Sequence, residues 1–320
     1  MNSAMSGVRS TAPRQFVGLG LAHLVIGWGA TLLAPVWVLL LAPLIFGVPH
    51  VLNDLRLLIW RPVMPVNRRL VGVILVPLVA MTLLRVSLLL GAPRYALWEV
   101  LLGFLAVVGA VAVAFQGRGN LRWWLMGALV ALGVACCARP KLCGLFLGHA
   151  HNLIAIGFWL WLLKRANVSG RARLGLGLLF LAMMTAILAG VVPAWSATPV
   201  AGLSFEGLRE TLAPGLSVAM GERVVLSFAF AQLMHYSVWM FLMPGCAWGQ
   251  GEAHTIRDWS GKLGRSGVLV ALLALPLLGL IDPIGARSTY LSFVLFHGWL
   301  EIALVMHWLA GRAIPVGVAR

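Results

Sequence analysis

Acidic side chains are scarce in this chain, with nine Asp and Glu among 320 residues, and only 10% of residues carry charge. A water-soluble domain carries about 25%, and no stretch reads as a water-exposed globular unit, so a soluble fold is excluded. Short segments of alternating polarity, the mark of a spanning β-barrel, are missing as well. Runs such as Val71 to Leu84 and Leu174 to Val192 are apolar on every face. No internal repeat, low-complexity tract or linker marks a second domain. The start carries Arg9 and Arg14, but no small-residue cleavage site follows a short apolar core, so no signal peptide is read. Cys136, Cys137, Cys143 and Cys246 contain no C-x-x-C. The first three crowd one short connection, where a bridge through Cys143 competes with the simpler reading of buried thiols at a helix end.

What is present is apolar length. Hydrophobic residues make up 61% of the chain. Runs able to cross a hydrocarbon layer of roughly 30 Å, which takes about 20 helical residues, recur from one end to the other. The expected fold is an all-α polytopic transmembrane bundle of about ten spans, near 16–33, 35–59, 70–90, 95–115, 121–138, 144–163, 174–194, 221–243, 266–281 and 288–310. A single transmembrane domain over 16–310 is then flanked by short tails at 1–15 and 311–320. Lys and Arg total 24, for a net charge of +15. By loop, seventeen fall on the amino-terminal side: Arg9, Arg14, Arg56, Arg61, Arg68, Arg69, Arg118, Arg122, Lys164, Arg165, Arg171, Arg173, Arg257, Lys262, Arg265, Arg312 and Arg320. Six fall opposite (Arg94, Arg139, Lys141, Arg209, Arg223 and Arg287), and Arg85 lies inside the third span. The positive-inside rule places both termini in the cytoplasm, and the alternation favours an even number of spans. The excess of positive charge thus reports topology and lipid contact. No basic run is interleaved with aromatics as a nucleic-acid groove would be, so nucleic acid is not an expected partner. The expected location is a bacterial cytoplasmic membrane.

Trp60, Trp123, Trp124, Trp195, Trp248 and Trp308 fall near span ends, where amphipathic rings sit at headgroup level. Two connections are longer than the rest. Ser196 to Gly221 contains Phe205-Glu206-Gly207-Leu208-Arg209-Glu210, the pattern of a short interfacial helix capping the bundle. Gly245 to Gly264 is Gly-rich and polar, and its His254 reads as a solvated loop residue.

An ionisable side chain is expensive in hydrocarbon, so those deep in a span are candidates for function. They are His23, His50, Asp54, Arg85, His149, His151, His235, His297, Glu301 and, nearer a surface, His307; seven of the eight histidines lie within spans. Neutral imidazole costs less to bury than a carboxylate and is the commonest transition-metal ligand. In the second span His50 and Asp54 are four apart, on one helical face, so they can share an ion or form a pair in which Asp54 orients the ring. Pro49 removes a backbone hydrogen bond where His50 projects. The competing reading pairs Asp54 with Arg56 or a lipid headgroup while His50 hydrogen-bonds a carbonyl. His297 and Glu301 repeat the spacing in the last span, and His235, followed by Tyr236, adds a histidine from the eighth. In the sixth span His149 and His151 diverge by about 200°, and His149, three before Asn152 on the same face, is slightly favoured to face inward. His23 has no polar partner and is as readily a satisfied core residue as a ligand. The candidate metal ligands are therefore His50, Asp54, His149, His151, His235, His297 and Glu301.

Mixed imidazole and carboxylate ligation suits one or two non-haem Fe2+ ions with positions left open for O₂. Haem or copper is the competing cofactor, although haem prefers a flat cavity without nearby carboxylates. At Gly47-Val48-Pro49-His50 through Asp54 the sequence resembles the Brp/Blh family of membrane-bound β-carotene 15,15′-dioxygenases, whose early motif has a glycine, a Pro-His pair and an aspartate four after the histidine. The resemblance implies an all-helical membrane fold, non-haem iron held by histidines including His50, and cleavage of a carotenoid to retinal. His149 or His151 is then similar to the family's middle histidine. His297 matches the first of two late histidines, and Glu301 stands where the second would be. The expected function is an iron oxygenase or oxidase on a lipophilic small molecule reached from the bilayer. A haem or copper protein of respiration or metal handling, and a proton-coupled transporter relaying through His50–Asp54 and His297–Glu301, are the alternatives. No inverted repeat or paired interrupted helix supports the transporter.

Overall fold

The computed structural model describes residues 13–55, 68–93, 96–191, 199–243, 267, 270 and 272–312, and among them there are helices and no strand. In order they are α1 (Pro13–Leu33), α2 (Pro35–Leu55), α3 (Arg68–Leu89), α4 (Ala96–Ala114), α5 (Asn120–Ala138), α6 (Pro140–Arg165), α7 (Gly170–Leu188), α8 (Phe205–Leu212), α9 (Val218–Ser237, continuing as a π-helical turn over Val238–Leu242), α10 (Leu272–Ile281) and α11 (Pro283–Arg312). Within a bilayer a backbone must satisfy its own polar groups, and an apolar helix does so without help from water. Nine of these helices, α1 to α7, α9 and α11, are long and apolar enough to cross a membrane. The chain is thus an all-α, membrane-spanning bundle.

Helix starts follow the local chemistry. The side chains of Ser169, Ser204 and Ser217 accept from the backbone N–H groups of Ala172, Gly207 and Met220, capping α7, α8 and α9. The expected interfacial helix in the long connection is α8, with Phe205 and Leu208 turned inward and Glu206 outward. Two boundaries differ from expectation, and the span expected at 266–281 is not one of them: its described residues, Gly267, Val270 and Leu272–Ile281, are all helical, the last ten forming α10. The loop expected after it is absent: Asp282 Oδ1 accepts from Gly285 N–H at 2.9 Å, Pro283 takes the first helical position, and α11 therefore starts five residues before position 288. The α5–α6 connection shrinks to Arg139, because Pro140 likewise starts a helix. Cys136 and Cys143 are buried free thiols on those helix ends, and Cys137 is free and half-buried.

The bundle is apolar on its outside, as lipid contact requires. Ile26, Val76, Leu83 and Val134 are exposed on its flanks, and the anchors Trp123 and Trp124 are exposed near the start of α5. Trp308 instead packs half-buried on Trp161 and Phe158. Trp60, Trp195, Trp248, Cys246 and the connection from Gly245 to Gly264 with His254 lie outside the described residues.

Two apolar clusters form the interior. One joins α1, α2, α6, α7 and α9 through Leu24, Leu39, Trp159, Phe180 and Phe230. The other joins α3, α4 and α11 through Leu70, Ile74, Met81, Phe104 and Trp299. Between them α2 and α6 each pack against both α9 and α11, closing a ring of four helices. Close approach needs glycine at two points: a Cβ on Gly103 would overlap the Trp299 ring, and one on Gly47 the Tyr290 ring.

Candidate metal centre

Each helix of the four-helix ring contributes one imidazole to its axis. His50 on α2 meets His235 on α9 with ring centroids 5.2 Å apart, and His235 meets His151 on α6 at 5.0 Å. His151 meets His297 on α11 at 5.1 Å, and His297 closes the circuit to His50 at 4.9 Å. The two carboxylates join the same point from α2 and α11. His50 Nε2 is 4.0 Å from Asp54 Oδ2, and His235 Nε2 is 3.9 Å from Glu301 Oε1. His50, Asp54 and Glu301 have no solvent exposure at all, and His235 has 1%.

Helical spacing explains why these side chains converge. His50 and Asp54 share a face, as their separation of four requires. Glu301 lies one turn beyond His297 and reaches across to His235, so the second spacing of four serves an interhelical pair. On α9, Gln232, His235, Tyr236 and Trp239 fall at i, i+3, i+4 and i+7, a polar stripe buried along the inner face. The reading of Asp54 as a partner of an arginine or a headgroup does not hold, because its carboxylate is enclosed beside His50.

The imidazoles are also oriented. The Nδ1–H of His50 donates to the Phe46 carbonyl at 3.2 Å and that of His151 to Leu147 at 3.2 Å; His297 makes the same kind of bond to Val294. A backbone bond of this kind selects the tautomer whose Nε2 carries the free lone pair. Tyr290 adds a hydroxyl 3.4 Å from His50 Nδ1. Tyr236 packs edge-on to His50 at 4.7 Å and accepts from Gln232 Nε2 at 3.2 Å.

The donor set passes a test for a metal. Buried polar groups are nearly always hydrogen-bonded, and an orphan costs about 1–3 kcal/mol. Here the Nε2 atoms of His50 and His297, both ring nitrogens of His235 and all four oxygens of Asp54 and Glu301 are buried without a hydrogen-bond partner. Among the described residues no Lys or Arg pairs with either carboxylate. The orphans are mutually close: one ligand atom each from His50, His235 and His297 lie within 4.8 Å of one another, as do those of Asp54, His297 and Glu301. Ligands held at roughly 2.0–2.2 Å on opposite sides of one ion lie about 4.2 Å apart, so a cation fits where no protein group does. An imidazole nitrogen has a single lone pair. His297 Nε2 would therefore serve one ion, held by His50, His235 and His297 or by Asp54, His297 and Glu301.

Of the sixth-span histidines, His151 joins the circuit while His149 turns away to pack against Phe228 at 5.3 Å. The slight preference for His149 is thus corrected: the packing of α6 between α9 and α11 chooses the face, and spacing from Asn152 does not report it. His23 stacks on Phe241 at 5.3 Å, away from the circuit, and His307 is half-buried on the last turns of α11. Arg85 forms a two-pronged ion pair with Glu99, both contacts 2.6 Å. That partner was not foreseen from sequence, although an acidic residue in the first turn of a helix facing an arginine near the end of its neighbour is a readable signal. Tyr290 was missed too. It precedes His297 by seven residues, two helical turns on the same face.

Beside the imidazoles lies a cavity of about 350 Å³. His151, His235 and His297 line it, Phe228, Leu291, Val294 and Trp299 supply apolar surface, and Arg85 and Leu212, the last residue of α8, also border it. The fold and this centre define an integral membrane protein with a buried His/Asp/Glu group that could hold metal. Compared with protein-family models, curated proteins and solved structures, the chain matches none.

Proposed function

We propose that this protein is a membrane metalloenzyme of the bacterial cytoplasmic membrane, a non-haem iron oxygenase or oxidase acting on a lipophilic substrate. The observation that carries the proposal is that three imidazoles and two carboxylates, each buried with a ligand atom left unpartnered, form two close groups that share His297 inside an apolar bundle. Bound there, iron would supply activation of O₂, which mixed nitrogen and oxygen ligation with open positions allows. His50, Asp54, His235, His297 and Glu301 would hold it. The two carboxylates balance a divalent charge, and the backbone bonds to His50 and His297 keep their Nε2 lone pairs aimed inward. His151 faces the cavity and is placed to hold or move a proton at its Nε2 on the substrate side. The surrounding apolar helices exclude water from the reacting atoms.

The likeness of Gly47 through Asp54 to the Brp/Blh dioxygenases supports oxidative cleavage of a carotenoid as one candidate reaction. The cavity beside the centre has room for roughly a dozen water-sized groups. A carotenoid would therefore place only part of its length there. Haem is disfavoured because rings crossed at 4.9–5.8 Å leave no slab for a porphyrin between them. Copper is the second reading, since the His50, His235 and His297 triad alone would suit it; the carboxylates favour iron.

The test is metal analysis with an optical spectrum on detergent-purified wild type, His50→Ala and His297→Ala. Near-stoichiometric iron without a Soret band, lost from both variants, supports the oxygenase and leads to feeding with carotenoids and shorter chains. Copper in the same stoichiometry supports the second reading. A Soret band would identify a haem protein, and a folded wild type free of metal would turn the reading to a proton-relay transporter.

A further inference from the structure

Two amides facing the cavity have no role in holding metal. Asn152, on α6 one residue beyond His151, is fully buried, and neither its Oδ1 nor its Nδ2 has a hydrogen-bond partner. Gln232, on α9 one turn before His235, is also buried; its Nε2 is engaged by Tyr236, and its Oε1 is unpartnered. Both residues, with the apolar Leu291 and Val294, are among those lining the 350 Å³ cavity. An amide left bare inside a membrane protein costs less than a bare carboxylate but is still an anomaly, and because it carries no charge it calls for a neutral partner. The pair presents a carboxamide N–H donor and two carbonyl acceptors. A group that both donates and accepts, such as a hydroxyl or an amide, satisfies it; a hydrocarbon does not.

We infer that the cavity is a substrate pocket for a small, mostly apolar molecule carrying one neutral hydrogen-bonding group, an alcohol above all, which Asn152 and Gln232 hold beside the imidazoles. This rests on reading the imidazole cluster as the reacting centre. Access runs from the α8 end. A second cavity of about 330 Å³, with Glu210 and Thr211 on its wall, shares Gly144, Gly148, Leu212 and Phe228 with the first. A Cβ on Gly148 would press against the Phe228 ring at 3.2 Å, so these two residues form the partition between the chambers. The inner chamber takes roughly a dozen water-sized groups, which fits a molecule of the size of decanol.

The experiment is photolabelling of the detergent-purified full chain with 1-decanol bearing a mid-chain diazirine and with the matching diazirine decane, followed by peptide mapping and metal analysis of the same samples. The alcohol is expected to label segments of α9 and α11 at lower concentration than the hydrocarbon. Asn152→Leu and Gln232→Met should each raise its half-saturation concentration roughly three- to tenfold, the loss of one neutral hydrogen bond, and leave the hydrocarbon unchanged. Asn152→Leu removes an amide with no hydrogen-bond partner, Gln232→Met also removes the bond to Tyr236, and unchanged labelling by the hydrocarbon verifies in each that the pocket is intact. Equal labelling by both probes, labelling confined to other helices, or indifference to both substitutions would overturn the inference. Loss of metal from Asn152→Leu would also overturn it, by assigning that amide to the metal. The expected labelling in preparations that hold no metal would support the pocket while sinking the metalloenzyme reading.

Discussion

Removing the ion should reverse the effect that the two buried carboxylates have on stability. With a divalent cation at the centre, Asp54 and Glu301 are ligands, and at free metal 100-fold above the dissociation constant the linkage contributes about 2.7 kcal/mol to the folded state. Stripped of it, the wild type keeps two enclosed carboxyl groups with no Lys or Arg paired to them among the described residues, and a neutral group in place of each relieves part of the several kcal/mol, roughly, that burying an uncompensated charge costs. Glu301→Gln and Asp54→Asn preserve shape and remove that charge. In metal-loaded protein each variant should therefore melt below wild type, and in chelator-treated protein each should melt above it. The assay is the thermal midpoint of detergent-purified protein followed by tryptophan fluorescence at one fixed heating rate, with chelator and then with Fe2+ restored. A wild type indifferent to chelator and metal, together with variants shifted the same way under both conditions, would refute the assignment of these carboxylates to a cation.

Three further outcomes follow from the geometry. His151→Ala should lower metal retention or activity, whereas His149→Ala, whose ring sits against Phe228, should leave iron content at the wild-type level; equal effects would contradict the placement of α6. Gly47→Ala drives a methyl group into the Tyr290 ring beside His50 and should cost about 1–3 kcal/mol of stability, read as a lower melting midpoint, and reduce iron content. Arg85→Met leaves Glu99 buried without its partner and should destabilise by about 3–5 kcal/mol, while Arg85→Met with Glu99→Leu should recover most of that, as the same melting assay will report.

The architecture was legible because a bilayer leaves few choices. Length and apolarity located nine long helices, and the pattern Phe205 to Glu210 marked α8, since both signals are local. Helix ends were read less well where a cap outweighed hydropathy. Asp282 with Pro283 starts α11 inside what loop composition assigned to an outer connection, and Arg139 alone turns α5 into α6. Hydropathy averages over a window and does not register a single capping residue.

The centre was legible for a different reason. Ionisable residues are so costly in hydrocarbon that nearly every one present marks a place where the structure compensates for it. His50, Asp54, His235, His297 and Glu301 could be picked from the sequence on that ground, and Arg85 with them, although its compensation is Glu99 and not the centre. Spacing on one helix shows which residues share a face, but not which neighbour that face meets. The choice between His149 and His151, and the pairing of Glu301 with His235, follow from α6 and α9 closing the ring of four helices. The same limit hid Tyr290 and the exposure of Asn152 and Gln232 to one cavity, because a neutral polar residue in a span is cheap enough to pass for a satisfied one until its surroundings are known. In a chain of this kind the charged residues locate the candidate centre, and the unpartnered neutral ones become visible only once the helices that surround them are placed.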